Sequence, residues 1–279
     1  MREPSALTRN PRPSRALART DPESESSRTP VVPATLPRLG AGGEGDAYLH
    51  GMHIVIAGGH GQVARRLGAL AVARGDRVTG LVRNPAQLPD LSQLGVGGVV
   101  LDLETATTAA VTEALRGADA VVFAAGAGPG SGAARKDTVD RAAAVVVADG
   151  AAAAGVPRLL QVSAMGVDSV RDGGVPGGRE EVFVAYLRAK LAAEEDLRAR
   201  SGSGTLRWTI IRPGRLTDSP GTGRVRLAQS VPRASVSRDD VAAVLLALLD
   251  EPGTAGMTLE LVAGETPVSR AVRELVEAS

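Results

Sequence analysis

The chain has no cysteine and few aromatics: two Phe, two Tyr and one Trp in 279 residues. Without thiols there is no disulfide framework, no thiol nucleophile and no cysteine-bound metal. The three histidines, at 50, 53 and 60, do not make a metal set. Scarce aromatics argue against a single-stranded nucleic-acid surface, which relies on stacking. The formal net charge is only +1, so no bulk attraction to DNA or to an anionic membrane is implied. No apolar run approaches the length of a bilayer span. Metal, nucleic acid and membrane are therefore not expected partners, and a cytoplasmic location is. Hydrophobic content is 43%, so a sizeable core is available, built from Val, Leu, Ile and Ala.

Residues 1–51 lack a periodic apolar pattern. They hold seven of the 17 prolines and seven arginines, with many Ser and Thr. Such a segment cannot bury enough surface to offset its ordering entropy. It reads as a disordered or dispensable extension, with no apolar h-region of a secretory signal. Its Arg and Ser content resembles a transit peptide slightly, against which Asp21, Glu23 and Glu25 count.

What is present starts at Met52. Ile54-Val55-Ile56 suits a strand buried on both faces. Gly58-Gly59-His60-Gly61-Gln62-Val63-Ala64 follows, and from Gln62 the apolar residues Val63, Leu67 and Leu70 share a helical face that Gly75 would end. Strand, glycine turn and helix make a phosphate cradle: the turn brings backbone close to a pyrophosphate, and the helix N-terminus offers free N–H groups. Strands and helices then alternate. Strands are expected over 77–82, 99–103, 120–124, 158–162, 207–211 and 257–262. Helices are expected over 85–94, 105–115, 137–154, 180–200 and 238–249, and after Pro267. The stretch 166–179 reads as a glycine-rich loop. This order predicts parallel βαβ units in an α/β fold: a single doubly wound Rossmann-type domain over 52–279 with a mostly parallel sheet. Ligands then sit at the carboxyl ends of the strands, where Gly58, Arg83, Asp102, Ala125, Ser163 and Pro213 fall.

An NAD-preferring site usually ends its second strand in an acid. Here that place holds Arg83, whose guanidinium fork suits a 2′-phosphate, so NADP(H) is expected over NAD(H). Asp102, followed by Leu103, is placed to accept from the adenine amino group.

The helix after the fifth strand carries Tyr186-Leu187-Arg188-Ala189-Lys190. Tyr and Lys at i and i+4 share a face. An ammonium nearby should lower the phenol's pKa and let it act as a general acid. Ser163 could hold the same substrate oxygen.

With these motifs the chain resembles the short-chain dehydrogenase/reductase superfamily, in its atypical branch of NmrA-like and flavin or biliverdin reductase-like proteins. Leu81-Val82-Arg83-Asn84, Val162-Ser163-Ala164, Ile211-Arg212-Pro213-Gly214 and Ser237-Arg238-Asp239-Asp240-Val241-Ala242 also carry the likeness. The resemblance implies a catalytic set of Ser163, Tyr186 and Lys190. It implies a coenzyme site from Gly58 to Val63 that includes Gly59, His60, Gly61 and Gln62. Arg83, Asp102, Leu103, Ala124, Ala125, Gly126, Arg212, Pro213 and Gly214 would complete that site. Arg212-Pro213-Gly214 would line the nicotinamide side, and residues 215–235 would border the substrate, in a small apolar pocket near Met165, Val167 and Leu216. Two family asparagines are absent. Ala124-Ala125-Gly126 stands where Asn-Ala-Gly is usual, and helix 137–154 has no Asn, leaving Asp140 as its nearest polar residue. The expected function is NADPH-dependent hydride transfer to a small carbonyl, quinone-like or flavin-like compound. The alternative is a non-catalytic NADP(H) sensor that binds a protein partner. A nucleotide-sugar epimerase or dehydratase would use the same Tyr and Lys, but the region after the sixth strand is short for its substrate domain.

Overall fold

The computed structural model describes residues 51–128, 130–175, 177–178, 180–200 and 206–277. The expectation for the N-terminal extension falls outside them, Gly51 apart.

A nine-stranded sheet organises the described residues. Its strands are β1 (His53–Ala57), β2 (Arg77–Val82), β3 (Gly97–Val100), β4 (Ala120–Phe123), β5 (Arg158–Val162), β6 (Arg207–Pro213), β8 (Arg224–Ala228), β10 (Thr258–Ala263) and β11 (Thr266–Pro267). They lie in the order β11-β8-β10-β6-β5-β4-β1-β2-β3. From β3 across to β10 every pairing is parallel; β8 joins β10 and β11 antiparallel. The doubly wound expectation holds. The switch in strand order lies between β1 and β4, the place where such sheets open a ligand crevice.

Both faces are covered because both sides of each central strand are apolar. Ile54 and Ile56 pack toward α1 (Gln62–Arg74), α7 (Arg238–Leu249) and α8 (Val268–Glu277). Val55, Val121, Phe123 and Leu159 pack toward α3 (Thr108–Ala114), α5 (Ala143–Ala154) and α6 (Glu181–Ala199). A short helix, α2 (Leu88–Gln93), links β2 to β3.

Several boundaries differ from the sequence reading. The third strand stops at Val100, so Asp102 and Leu103 sit in the turn beyond it, where Asp102 Oδ1 accepts the Glu104 N–H at 3.0 Å. The supposed glycine-rich loop contains a 3-10 helix, Val167–Gly173, held because Val167 and Val170 bury against Val184, Leu187 and Leu191. Val167 is thus core rather than pocket wall. The stretch after the sixth strand contains β7 (Arg215–Thr217) and β9 (Ser235–Ser237), which pair as a separate parallel ribbon. The helix before β5 begins as a turn, α4 (Ala133–Arg135), and passes through a π-helix, Lys136–Ala142, before α5.

Candidate functional site

At the end of β1 the chain turns at Gly58 with φ +82°, and a Cβ there would lie 2.6 Å from the Ala125 Cα. A glycine is required on both counts. Gly59 donates to the Leu81 carbonyl at 2.9 Å, which ties the turn to β2. Helix α1 starts at once, with Gly61 as N-cap, no side-chain cap and no acid in its first turn. Helix α7 is capped differently, since Ser237 Oγ accepts the Asp240 N–H at 2.9 Å. The bare end of α1 therefore offers backbone donors and a positive dipole end to an anion.

The turn opens into a cleft of about 1480 Å³ along the strand ends. It is lined by Gly58, His60, Gly61, Gln62, Val63, Arg83, Asp102, Leu103, Ala124, Ala125, Gly126, Ser163, Tyr186, Lys190, Pro213 and Gly214. Two of the expected coenzyme residues do not line it. Gly59 packs on Gly80 of β2. Arg212 turns its guanidinium away into a buried ion cluster, 2.6 Å from Glu194 and 2.5 Å from Asp168. Arg212 anchors the strand end; Pro213 and Gly214 meet the cleft.

One end of the cleft holds Arg83, whose Nη1 lies 3.2 Å from Glu104 Oε1. Arg135 binds the same carboxylate, and Thr138 Oγ1 donates to it at 3.0 Å. The Arg135 hydrogen bond, above all, holds Glu104 below its ordinary carboxyl value, against the opposing effect of burial. His60 is hydrogen-bonded to Asp90 at 2.7 Å and to Gln87 at 3.2 Å.

The other end gathers the Tyr-Lys pair. Lys190 is 4% exposed and donates to the Val162 carbonyl at 3.0 Å. Its Nζ stands 3.2 Å from Asp140 Oδ1, and Asp140 is fully buried. The π-helix presents Asp140, and also Lys136, to the cleft. Lys136 Nζ is 5.5 Å from the Tyr186 ring centre and Lys190 Nζ is 6.0 Å from it. The expected lowering of the phenol pKa is overturned. Burial pushes it well above its ordinary 10.0, and the Asp140 carboxylate adds to the rise. Tyr186 is thus a phenol that stays protonated, as a proton donor must. Ser163 is 5% exposed, and its Oγ is buried with no hydrogen-bond partner. An orphaned hydroxyl facing a cleft is a place for a ligand atom.

Glu104, Arg135, Lys136, Arg215 and Arg233 also line the cleft and were not singled out from sequence. Lys136 left one signal: it and Lys190 are the only lysines in the chain.

A glycine-rich turn, an uncapped helix end and a cleft at the strand switch suit the phosphates of a dinucleotide. The chain belongs to the NAD(P)H-binding family, whose model matches residues 58–252. It is 34% identical over 225 residues to the uncharacterized sugar epimerase YhfK of Bacillus subtilis, covering 80% of this chain and 100% of that one. A solved Bacillus halodurans structure, named as a candidate NAD-dependent epimerase/dehydratase, is 33% identical with a TM-score of 0.71, over 81% of this chain and 100% of that chain. The anaerobilin reductase ChuY of Escherichia coli O157:H7 is 26% identical with a TM-score of 0.63, over 76% of this chain and 97% of that chain. The fold is that of an NAD(P)H-binding oxidoreductase. Among the described residues no helix is long and apolar enough to cross a membrane.

Proposed function

We propose that the chain is an NADPH-dependent reductase of the atypical short-chain type, acting on a small carbonyl or a conjugated quinone-like or flavin-like compound. The observation that carries this reading is the convergence of Ser163, Tyr186 and Lys190 on the cleft that begins at the Gly58 turn. The bound dinucleotide supplies a hydride, that is, one hydrogen with two electrons. The rest of the work falls to the chain. The Gly58–Val63 turn and the α1 N-terminus hold the pyrophosphate. Arg83, helped by Arg135, holds the 2′-phosphate. Ser163 Oγ donates a hydrogen bond to the substrate oxygen. Tyr186 gives its proton to that oxygen as the C–H bond forms, and solvent restores the phenol. Lys190, fixed by Asp140 and two backbone carbonyls, keeps the phenol's surroundings in place. The likeness to a reductase supports hydride delivery without a separate substrate domain. An epimerase reading has only the short ribbon β7/β9 and β8 to offer a sugar nucleotide.

Purified protein should oxidise NADPH with a member of a carbonyl, quinone and flavin panel. Tyr186→Phe should then cut carbonyl reduction by roughly 10²–10⁴-fold, the range for loss of a positioned acid. Full activity in that variant would remove the phenol from the mechanism for carbonyls. Hydride transfer to a flavin would survive the change. Tight NADPH binding with no turnover on the whole panel would favour the sensor.

A further inference from the structure

The cleft compensates its charges unevenly. Arg83 and Arg135 share Glu104, Lys190 faces Asp140, and Arg238 faces Asp218 at 2.9 Å. Lys136, Arg215 and Arg233 line the same cleft, and among the described residues no carboxylate pairs with any of them.

Lys136 is the most informative. It is 8% exposed, and its ammonium donates to the Gly128 carbonyl at 2.9 Å. A buried ammonium is costly without a counter-charge, and here it has only that carbonyl and the face of the Tyr186 ring, neither of which carries a negative charge. Its Nζ lies over the Tyr186 ring, 5.5 Å from the ring centre, and both residues line the cleft. Arg233 is exposed, and its guanidinium lies over Gly166, whose φ is +88° and where a Cβ would fall 2.2 Å from Arg233 Nη2. This sets Arg233 against the chain three residues beyond Ser163. Arg215, at the start of β7, adds a second guanidinium to that rim. Between the deep ammonium and the rim, Met165, Leu216 and Phe183 give the cleft apolar walls.

We propose that the compound reduced here is a polyanion. It has an apolar carbonyl or conjugated body and carries at least two carboxylate or phosphate groups. One group sits on Lys136 beside the phenol, and another on Arg215 and Arg233 at the rim. This rests on the reductase reading and adds the substrate's charge to it. The glycine turn and Arg83 already serve the dinucleotide's own phosphates, so these three cations are left for the second ligand.

Matched aldehydes test it on the full chain loaded with coenzyme. 5-Formylisophthalate is set against its dimethyl ester, and 5-formyl-1,3-phenylene bisphosphate against 3,5-dimethoxybenzaldehyde. The first pair reads carboxylate preference and the second phosphate. Calorimetry measures binding to the NADP⁺-loaded protein, and NADPH oxidation measures turnover. In at least one pair the anion should bind on the order of tenfold tighter or more, as expected for charge-assisted hydrogen bonds. That ratio should fall toward one in Arg215→Ala/Arg233→Ala and in Lys136→Met, with NADP⁺ affinity kept. If Lys136→Met does not fold, the rim double variant alone decides. Equal binding of anion and neutral partner in both pairs overturns the proposal, as does a ratio that survives in every variant that folds. Anion-selective binding without any NADPH oxidation would keep the polyanion site and remove the reductase reading. Oxidation of NADPH by neutral and charged members alike would do the reverse.

Discussion

At the coenzyme end of the cleft, backbone meets backbone. A Cβ on Gly58 would touch Ala125, and the two arginines nearby already share one glutamate. At the substrate end the walls are side chains on a π-helix and a ribbon of three-residue strands, and among the described residues no carboxylate pairs with three of the cations there. The first end is shaped mainly by main chain, with Arg83, Arg135 and Glu104 as its charged side chains. The second sets specificity with side chains that can change while the sheet stays the same. A dinucleotide site can thus be kept while the substrate is exchanged.

The contrast can be broken most severely at Gly58. Gly58→Ala meets both a left-handed φ and a backbone contact at 2.6 Å. It should lower NADPH affinity by at least about a hundredfold, read by fluorescence titration, since neither strain can relax without parting β1 from β4. Unchanged affinity would show that the turn is not the cradle. Next comes the buried cluster beneath the substrate end. Arg212→Met leaves Glu194, fully buried, with Arg198 as its remaining ion partner. Denaturant unfolding should show a loss of about 3 kcal/mol, the range for breaking a buried pair, while coenzyme affinity holds. A large loss of affinity instead would place Arg212 in the coenzyme site after all. Arg83→Asp should lower the NADPH/NADH affinity ratio about tenfold or more, by removing a charge-assisted bond to the 2′-phosphate. An unchanged ratio would exclude that role.

The smallest effect is a pH dependence. The Glu104 carboxyl is held below its ordinary 4.5 in the folded chain, chiefly by Arg135. Its contribution to stability is full above that ordinary value and is lost as pH falls through the lowered one. Glu104→Gln should therefore flatten the acid side of the stability curve, measured by denaturant unfolding between neutral pH and about pH 3. An equally steep fall in the variant would mean that other carboxylates, Asp168 among them, govern acid unfolding.

The coenzyme end was legible in the sequence because its signals are local. Gly58 to Ala64 runs without a break from the end of β1 into α1, and at the other end the step from Tyr186 to Lys190 lies within one helix. The sheet was legible for the same reason, through Ile54-Val55-Ile56 and its counterparts. Arg135 meets Glu104 across 31 residues, and Arg233 meets Gly166 across the cleft. No periodicity announces such meetings. A π-turn changes which faces Lys136 and Asp140 share, and three-residue strands are too short to alternate. The upward shift of Tyr186 comes first from burial and then from Asp140 on another helix, and neither shows in the Tyr-Lys spacing.

One topological detail bears on how the molecule comes into being. Strand β8 precedes β10 in the chain but lies outside it in the sheet, and its partners are β10 and β11. When β6 is made, all the strands from β1 to β6 exist, but α7 and α8, which share the core of α1, do not. Until residue 263 has emerged, β8 has nothing to pair with and β6 remains a bare edge. The C-terminal part of the chain thus supplies both the cover of one sheet face and the partner that protects its edge.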